Sequence, residues 1–430
     1  MTDSARAVQR VYLLLTLLTT LAASFIWGIN TLFLLDAGLS NTEAFAANAF
    51  FTVGQVLFEV PTGVVADTRG RRFSFMLGAA TLLLSTLLYL VMWNLEAPFW
   101  GWALASVLLG FGFTFFSGAT EAWLVDALDA TGFTGNLESV FGRAQVVGGV
   151  AMLTGSVAGG VLAQLTDLGV PYIARIVMLG ITLIVAWRFM HDLGWTREPS
   201  ATPMRAMRNV LDGAIEGGLR NRPVRWLMLA APFTMGVAFY AFYAFQPYLL
   251  ELYGDPDAYS IAGLAAAIIA SAQIVGGLIV PWVRRLFARR THIIILGIVL
   301  SVVVFVSVGL TDSFVLALVL LAAWSMIAAI EEPMRRAFMN GLIPSAQRAT
   351  VLSFDSLMGS SGGVVIQPAL GRTADLFGYP ASYVAAAGIQ ALAIPFALLA
   401  RREDAPSDPI RDDGPVPEPP APDVTPPDAR

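Results

Sequence analysis

The chain has 430 residues, 56% hydrophobic and only 13% charged, against about 25% charged in soluble domains. A soluble fold of that make-up would expose aggregating apolar patches, so lipid is the solvent that fits. The formal net charge is −5, and there is no cysteine and no lysine, which excludes disulfides, thiol chemistry, a phosphate loop ending in Gly-Lys and a lysine Schiff base.

A membrane-crossing helix needs roughly 20 mostly apolar residues. That window predicts an all-α integral membrane chain with twelve spans, numbered here in chain order: 11–35, 43–66, 73–94, 99–127, 140–164, 171–192, 224–252, 259–283, 291–311, 313–339, 350–376 and 380–400. Span 1 is too long for a signal peptide and lacks a clean small-residue cleavage site. Arginines fix the orientation. Arg6, Arg10, Arg69, Arg71, Arg72, Arg143, the set from Arg188 to Arg225, Arg284, Arg285, Arg289, Arg290, Arg335, Arg336 and Arg348 all fall on one side. Only Arg175 and Arg372 lie toward the other, whose loops carry Asp36, Glu43, Glu96, Asp167, Asp255, Asp257 and Asp312. The positive-inside rule then places both termini in the cytoplasm of a cell whose inner membrane holds the chain.

Trp195–Arg222 is polar and basic and divides the spans six and six, with a surface helix expected over Met204–Leu219. From Glu403 to Arg430 proline and aspartate crowd the sequence, and a disordered tail is expected. The expected organisation is therefore a first bundle over 1–194, a linker over 195–222, a second bundle over 223–402 and the tail over 403–430. A shift of 218 residues superposes Gln55 on Gln273, Arg71 on Arg289 and Arg72 on Arg290, while Asp67 falls on Arg285, Gly70 on Ala288 and Gly63 on Pro281. Such degenerate repeats suit transporters that rock two bundles about a central site.

Between spans 2 and 3 runs Gly63-Val64-Val65-Ala66-Asp67-Thr68-Arg69-Gly70-Arg71-Arg72. Gly70 can take the positive φ of a tight reversal, Gly63 allows close helix approach, and Asp67 can face the positive end of another helix. The stretch resembles the G-x-x-x-D-x-x-G-R-[RK] loop of the major facilitator superfamily, and the likeness of spans and symmetry extends over roughly residues 10–400. The resemblance implies two pseudo-symmetric six-helix bundles, the MFS fold, nearest to the drug-efflux branch. It implies a gate in which Asp67 meets span 11 near Thr350–Ser353 and Arg71 pairs with an acid on span 4, Asp126 being placed for it. Gly70, Arg72 and Arg143 complete that set. Ala151–Gly160 on span 5 resembles the family's G-x-x-x-G-P-x-x-G-G antiporter pattern, with Ala151 for the first glycine and Ser156 for the proline; it suits tight packing as well as antiport. Gly359–Gly363 on span 11 is its counterpart.

Acids inside spans mark ion paths or ion pairs, since insertion scales charge about 2.5–3.5 kcal/mol for each. Glu59, Glu121, Asp126, Glu331, Glu332 and Asp355 are such residues. Glu59 and Glu121, a turn or more inside the polar boundary, are the candidate proton carriers, with gate salt bridges as the alternative. The resemblance implies a cavity lined by spans 1, 4, 7 and 10. Trp27, Asn30 and Thr31 share one face of span 1, and Phe239, Tyr243 and Gln246 one face of span 7, with Tyr240 alongside and Trp324 on span 10. Rings and amides with few charges suit a large, apolar or weakly cationic substrate.

His191 and His292 lack companions at ligand spacing, so no metal is expected, and no cofactor. Nor does any catalytic cluster suggest an enzyme. The expected function is secondary active transport by a monomer in the bilayer, with a small-molecule substrate, protons and no nucleic acid as its partners. Proton-coupled export of an amphipathic molecule is the first reading. Proton-coupled uptake of a metabolite is the second, and a non-transporting membrane sensor the third.

Overall fold

The computed structural model describes residues 3–116, 119–195, 218–343 and 345–410, and these are helical apart from short connections. Span 1 is Asp3–Trp27 continued by Asn30–Asp36; spans 2 and 3 are Asn41–Arg69 and Arg71–Asn94. Span 4 is Phe99–Thr114 with Ala119–Ala130, span 5 Leu137–Leu165 and span 6 Val170–Phe189. Spans 7 to 10 are Arg222–Tyr253, Tyr259–Arg284, Arg290–Leu310 and Phe314–Asn340. Among the described residues, eleven helical stretches are long and apolar enough to cross a membrane, the last being 53 residues, Thr350–Arg402. As one helix it would rise about 80 Å, against a hydrocarbon core of about 30 Å. Gly378, at φ 81° and ψ 167° just before Pro380, breaks it into spans 11 and 12.

Local sequence sets several of these boundaries. Span 2 opens on a capping box: the Ser40 hydroxyl accepts from Glu43 N, and the Glu43 carboxylate accepts from Ser40 N at 2.9 Å. It ends at Gly70, whose φ of 102° is the positive value its place in the loop requires. One boundary was not expected. Span 1 is interrupted between Trp27 and Asn30.

Each bundle has its own aromatic core, around Phe33, Trp102 and Tyr172 in the first and Tyr240, Tyr248 and Tyr383 in the second. Outward-facing apolar chains such as Leu104, Leu278 and Trp282 are 70% or more exposed, the mark of a multi-pass membrane protein. Glycines set the closest helix contacts. A Cβ at Gly159 would overlap Phe25 O of span 1, and one at Gly160 would come within 2.9 Å of Gly263 Cα of span 8. In the second bundle a Cβ at Gly362 would overlap Pro232 O of span 7. The glycine signatures of spans 5 and 11 thus occupy equivalent packing positions in the two halves.

The surface helix expected over Met204–Leu219 and most of the linker lie outside the described residues, as does the tail from 411. Residues 403–410, expected to begin a disordered tail, instead fold against span 9. Asp408 is buried, accepts from Thr291 N at 2.8 Å and Thr291 Oγ1 at 2.9 Å, and caps that helix. Ser407 Oγ donates to Phe338 O at 2.7 Å, and Ile410 N to Ala288 O at 2.9 Å. Asp404 pairs with Arg289 at 2.5 Å and, as its hydrogen-bond acceptor, pushes that guanidinium pKa further up. The short polar run has enough carboxylate to satisfy a helix end, which composition alone does not reveal.

Candidate functional site: two gates and a cavity

At the arginine-rich end, Arg71 Nη1 lies 2.8 Å from Asp67, and its Nε 3.7 Å from Asp126 of span 4. Asp67 is therefore joined to its own loop. Among the described residues Asp67 has no hydrogen bond or ion pair with Thr350–Ser353, the meeting expected of it; Gly63 has open space where a side chain would be, and Ser353 on span 11 is exposed. Arg72 takes a different partner. Its backbone N–H donates to Asp192 Oδ1 at 2.8 Å, and its guanidinium to Trp187 O, both beyond the loop at the end of span 6. A Cβ on Gly70 would collide with that Asp192 carboxylate. Arg143 is exposed and donates to Ser139 O and Gln9 Oε1, at 3.2 and 3.4 Å, rather than to an acid.

The arginine-poor end joins the two bundles. The Gln246 side chain of span 7 enters the break in span 1: its Nε2 donates to Trp27 O at 2.8 Å, and its Oε1 accepts from Thr31 N at 2.8 Å. In a continuous helix Thr31 N would donate to Trp27 O directly. The amide is inserted into that one bond and replaces it at both ends. Nearby, Asp375 of span 11 accepts from Asn41 N and Thr42 N at the start of span 2, both at 2.9 Å, and Tyr379 OH donates to Asn41 Oδ1. Phe45 packs on Tyr240 across the same seam, ring centroids 4.9 Å apart.

These contacts reassign several residues expected to line one cavity. Gln246 is fully buried in the seam. Asn30 is buried within the first bundle, donating to Asn48 Oδ1 and accepting from Tyr172 OH, both at 3.0 Å. Tyr240 is fully buried, its hydroxyl bonded to Ser382. Its ring lies between Phe45 of span 2 and Tyr383 of the second bundle, so it packs in the seam and does not line the cavity. Trp27, Phe239 and Tyr243 are half-buried, with Phe239 against Gly363 of span 11.

Trp324 lines a cavity of about 600 Å³ between spans 7 to 10 and 12, with Glu331, Ser301, Gln273 and Gln390. The charges at its rim are arranged in pairs: Arg335 forms a two-armed pair with Asp355 at 2.5 and 2.7 Å, and Arg336 pairs with Glu332 at 2.5 Å. The expected proton carriers Glu59 and Glu121 are both exposed and lie in the other bundle. No group of acids and histidines able to hold a metal occurs among the described residues.

Three residues were missed by sequence reasoning. Asp192 and Asp408, each just past the last helix of its half, cap the helix after the equivalent loop; their spacing of 216 is close to the 218-residue repeat, and that near-match was the available signal. Arg175 is buried among Thr86, Ala22 and the Phe113 ring, with Thr86 Oγ1 3.1 Å from its Nε. It looked like an ordinary loop arginine because it lies near a span end.

Against known proteins, a family model described as Major Facilitator Superfamily matches residues 12–366 and 260–425. No curated protein matches the chain significantly. Among solved structures, a nucleoside transporter, NupG, superposes with TM-score 0.75 at 13% identity, covering 90% of this chain and 99% of that one. A D-xylose-proton symporter does so with TM-score 0.67 at 15% identity, over 92% and 97% of the two chains. The human organic anion transporter MFSD10 superposes with TM-score 0.61 at 16% identity, over 92% and 100%.

Proposed function

The chain belongs to the Major Facilitator Superfamily, as a membrane transporter rather than an enzyme, and from that premise we propose proton-coupled export of an amphipathic small molecule by alternating access. The arginine-rich end faces the cytoplasm of the inner membrane, with both termini on that side, and the protein works as a monomer. One observation carries this reading: Gln246 and Asp375 tie the bundles at the arginine-poor end, while Gly63 and Ser353 stand open at the other. That is one half of an access cycle, open to the cytoplasm. In the other half Asp67 would reach the start of span 11, as Asp375 now reaches the start of span 2.

Glu59 and Glu121, exposed in this state, exchange protons with the cytoplasm. Neutralising the true carrier to glutamine abolishes flux driven by a pH gradient and leaves substrate exchange across equilibrated membranes intact. A gate salt bridge would lose both. The deciding experiment grows cells with and without the protein on a broad panel of toxic compounds, with and without an uncoupler. Resistance that the uncoupler removes supports export, and unchanged sensitivity across the panel counts against it. The polar cavity wall of Gln273, Ser301 and Gln390 favours a second reading, uptake of a hydrophilic metabolite, which enhanced growth on a scarce nutrient would reveal.

A further inference from the structure

We propose that the cavity of the second bundle is a binding site for a protonated aryl amine, its ammonium held by Glu331 and its ring directed toward Trp324. This rests on the transport reading and names its substrate class.

Four charged residues line the cavity, all on span 10: Glu331, Glu332, Arg335 and Arg336. Both arginines are engaged, Arg335 by Asp355 and Arg336 by Glu332. Glu331 is left over. It is half-buried and, among the described residues, has no hydrogen-bond or ion-pair partner. Its Oε2 sits over span 9 at Gly297, where a Cβ would come within 2.8 Å, so the backbone there has made room for a carboxylate. Gln390 of span 12 also lines the cavity, but it is 4% exposed and its Oε1 is turned into the protein, out of a ligand's reach. The elements facing Glu331 from spans 7, 8, 9 and 12 contribute Thr234, Gln273, Ser301 and Gln390, none of them charged.

The Glu331 carboxylate is an acceptor without a donor, facing a cavity. Leaving it unsatisfied is unfavourable, and an ammonium N–H answers it. Trp324 lies seven residues before Glu331, two turns along one face, a rise of roughly 10 Å. It is half-buried against Phe305. The ligand is therefore a cation with its charge at one end of a flat apolar body, and an N–H on the nitrogen adds a hydrogen bond to the ion pair. A quaternary ammonium would neutralise Glu331 without that bond.

The test uses full-length protein in lipid nanodiscs and three matched probes: 2-naphthylmethylamine, its N,N,N-trimethyl derivative and 2-naphthylmethanol. Calorimetry should rank them amine, then quaternary ion, then alcohol. Glu331→Gln should weaken the amine about tenfold or more and leave the alcohol unchanged, and Glu331→Asp should recover part of the loss. The proposal is overturned if the alcohol binds as tightly as the amine, or if Glu331→Gln binds the amine as well as the parent does. Proteoliposomes separate the two levels of the argument. Gradient-driven flux of any other compound without amine binding keeps the transporter reading and removes this site. Amine binding with no gradient-driven flux keeps the site and removes proton-coupled export.

Discussion

Gln246 shows how one side chain can hold two bundles together. Its amide both donates and accepts, so it replaces a single backbone hydrogen bond of span 1 with two of its own. Leucine at this position would fill similar space and do neither. Losing those bonds weakens the seam by about 1–3 kcal/mol, roughly 5- to 150-fold in the balance between the two access states. The chain has no cysteine, so a single thiol at buried Ala262, on the seam side of span 8, reports that balance. An impermeant maleimide should label Ala262→Cys slowly, and several-fold faster when Gln246→Leu is added. Equal rates would show that Gln246 does not hold the seam. Residue chemistry was legible here but its address was not. Sequence spacing put Asn30 and Gln246 on helix faces of the right kind, and nothing in it shows that span 1 breaks, which is what draws both away from a common cavity.

Among the elements, spans 2 and 11 run antiparallel, and Asp375 near the end of span 11 meets the start of span 2. That carboxylate accepts from two backbone N–H groups at a helix end, an interaction worth about 0.5–2 kcal/mol. Asp375→Ala should therefore raise Ala262→Cys labelling in the same direction as Gln246→Leu. Labelling that fell instead would mean that Asp375 holds the other state. Span 5 permits a sharper contrast. Gly159 abuts Phe25 O, whereas Gly180 of span 6 has nothing within 4 Å. Gly159→Val should lower the thermal midpoint by an amount equivalent to about 1–3 kcal/mol, and Gly180→Val should leave it nearly unchanged. Comparable midpoints would detach the span 5 glycines from packing. These helices were the most legible part of the chain, because an apolar run of fixed length and a small-residue stripe are local facts. The joint between spans 11 and 12 was read correctly as two spans even though only the non-helical Gly378 parts them, since membrane thickness does not admit 53 residues as one span.

For the whole molecule, the arginine asymmetry makes a direct statement about topology. A reporter active only in the cytoplasm should work when fused after Arg72, near Arg208 or at the carboxyl terminus, and fail near Asp257. Activity at Asp257 would overturn the orientation. What the sequence could not show at this scale was how the halves finish themselves. Asp192 caps the helix after the loop of the first, and Asp408 does the same for the second. Each of these two caps comes from the same half as the loop it completes. The covalent link between the halves supplies proximity, which raises the effective concentration of one half for the other. Severed between 195 and 222 and made as two polypeptides, the protein should reassemble as a heterodimer that co-purifies and transports. Its activity would then vary with the supply of the scarcer piece, and a second fragment ending at Arg402, without Asp408, should be the one that fails to accumulate.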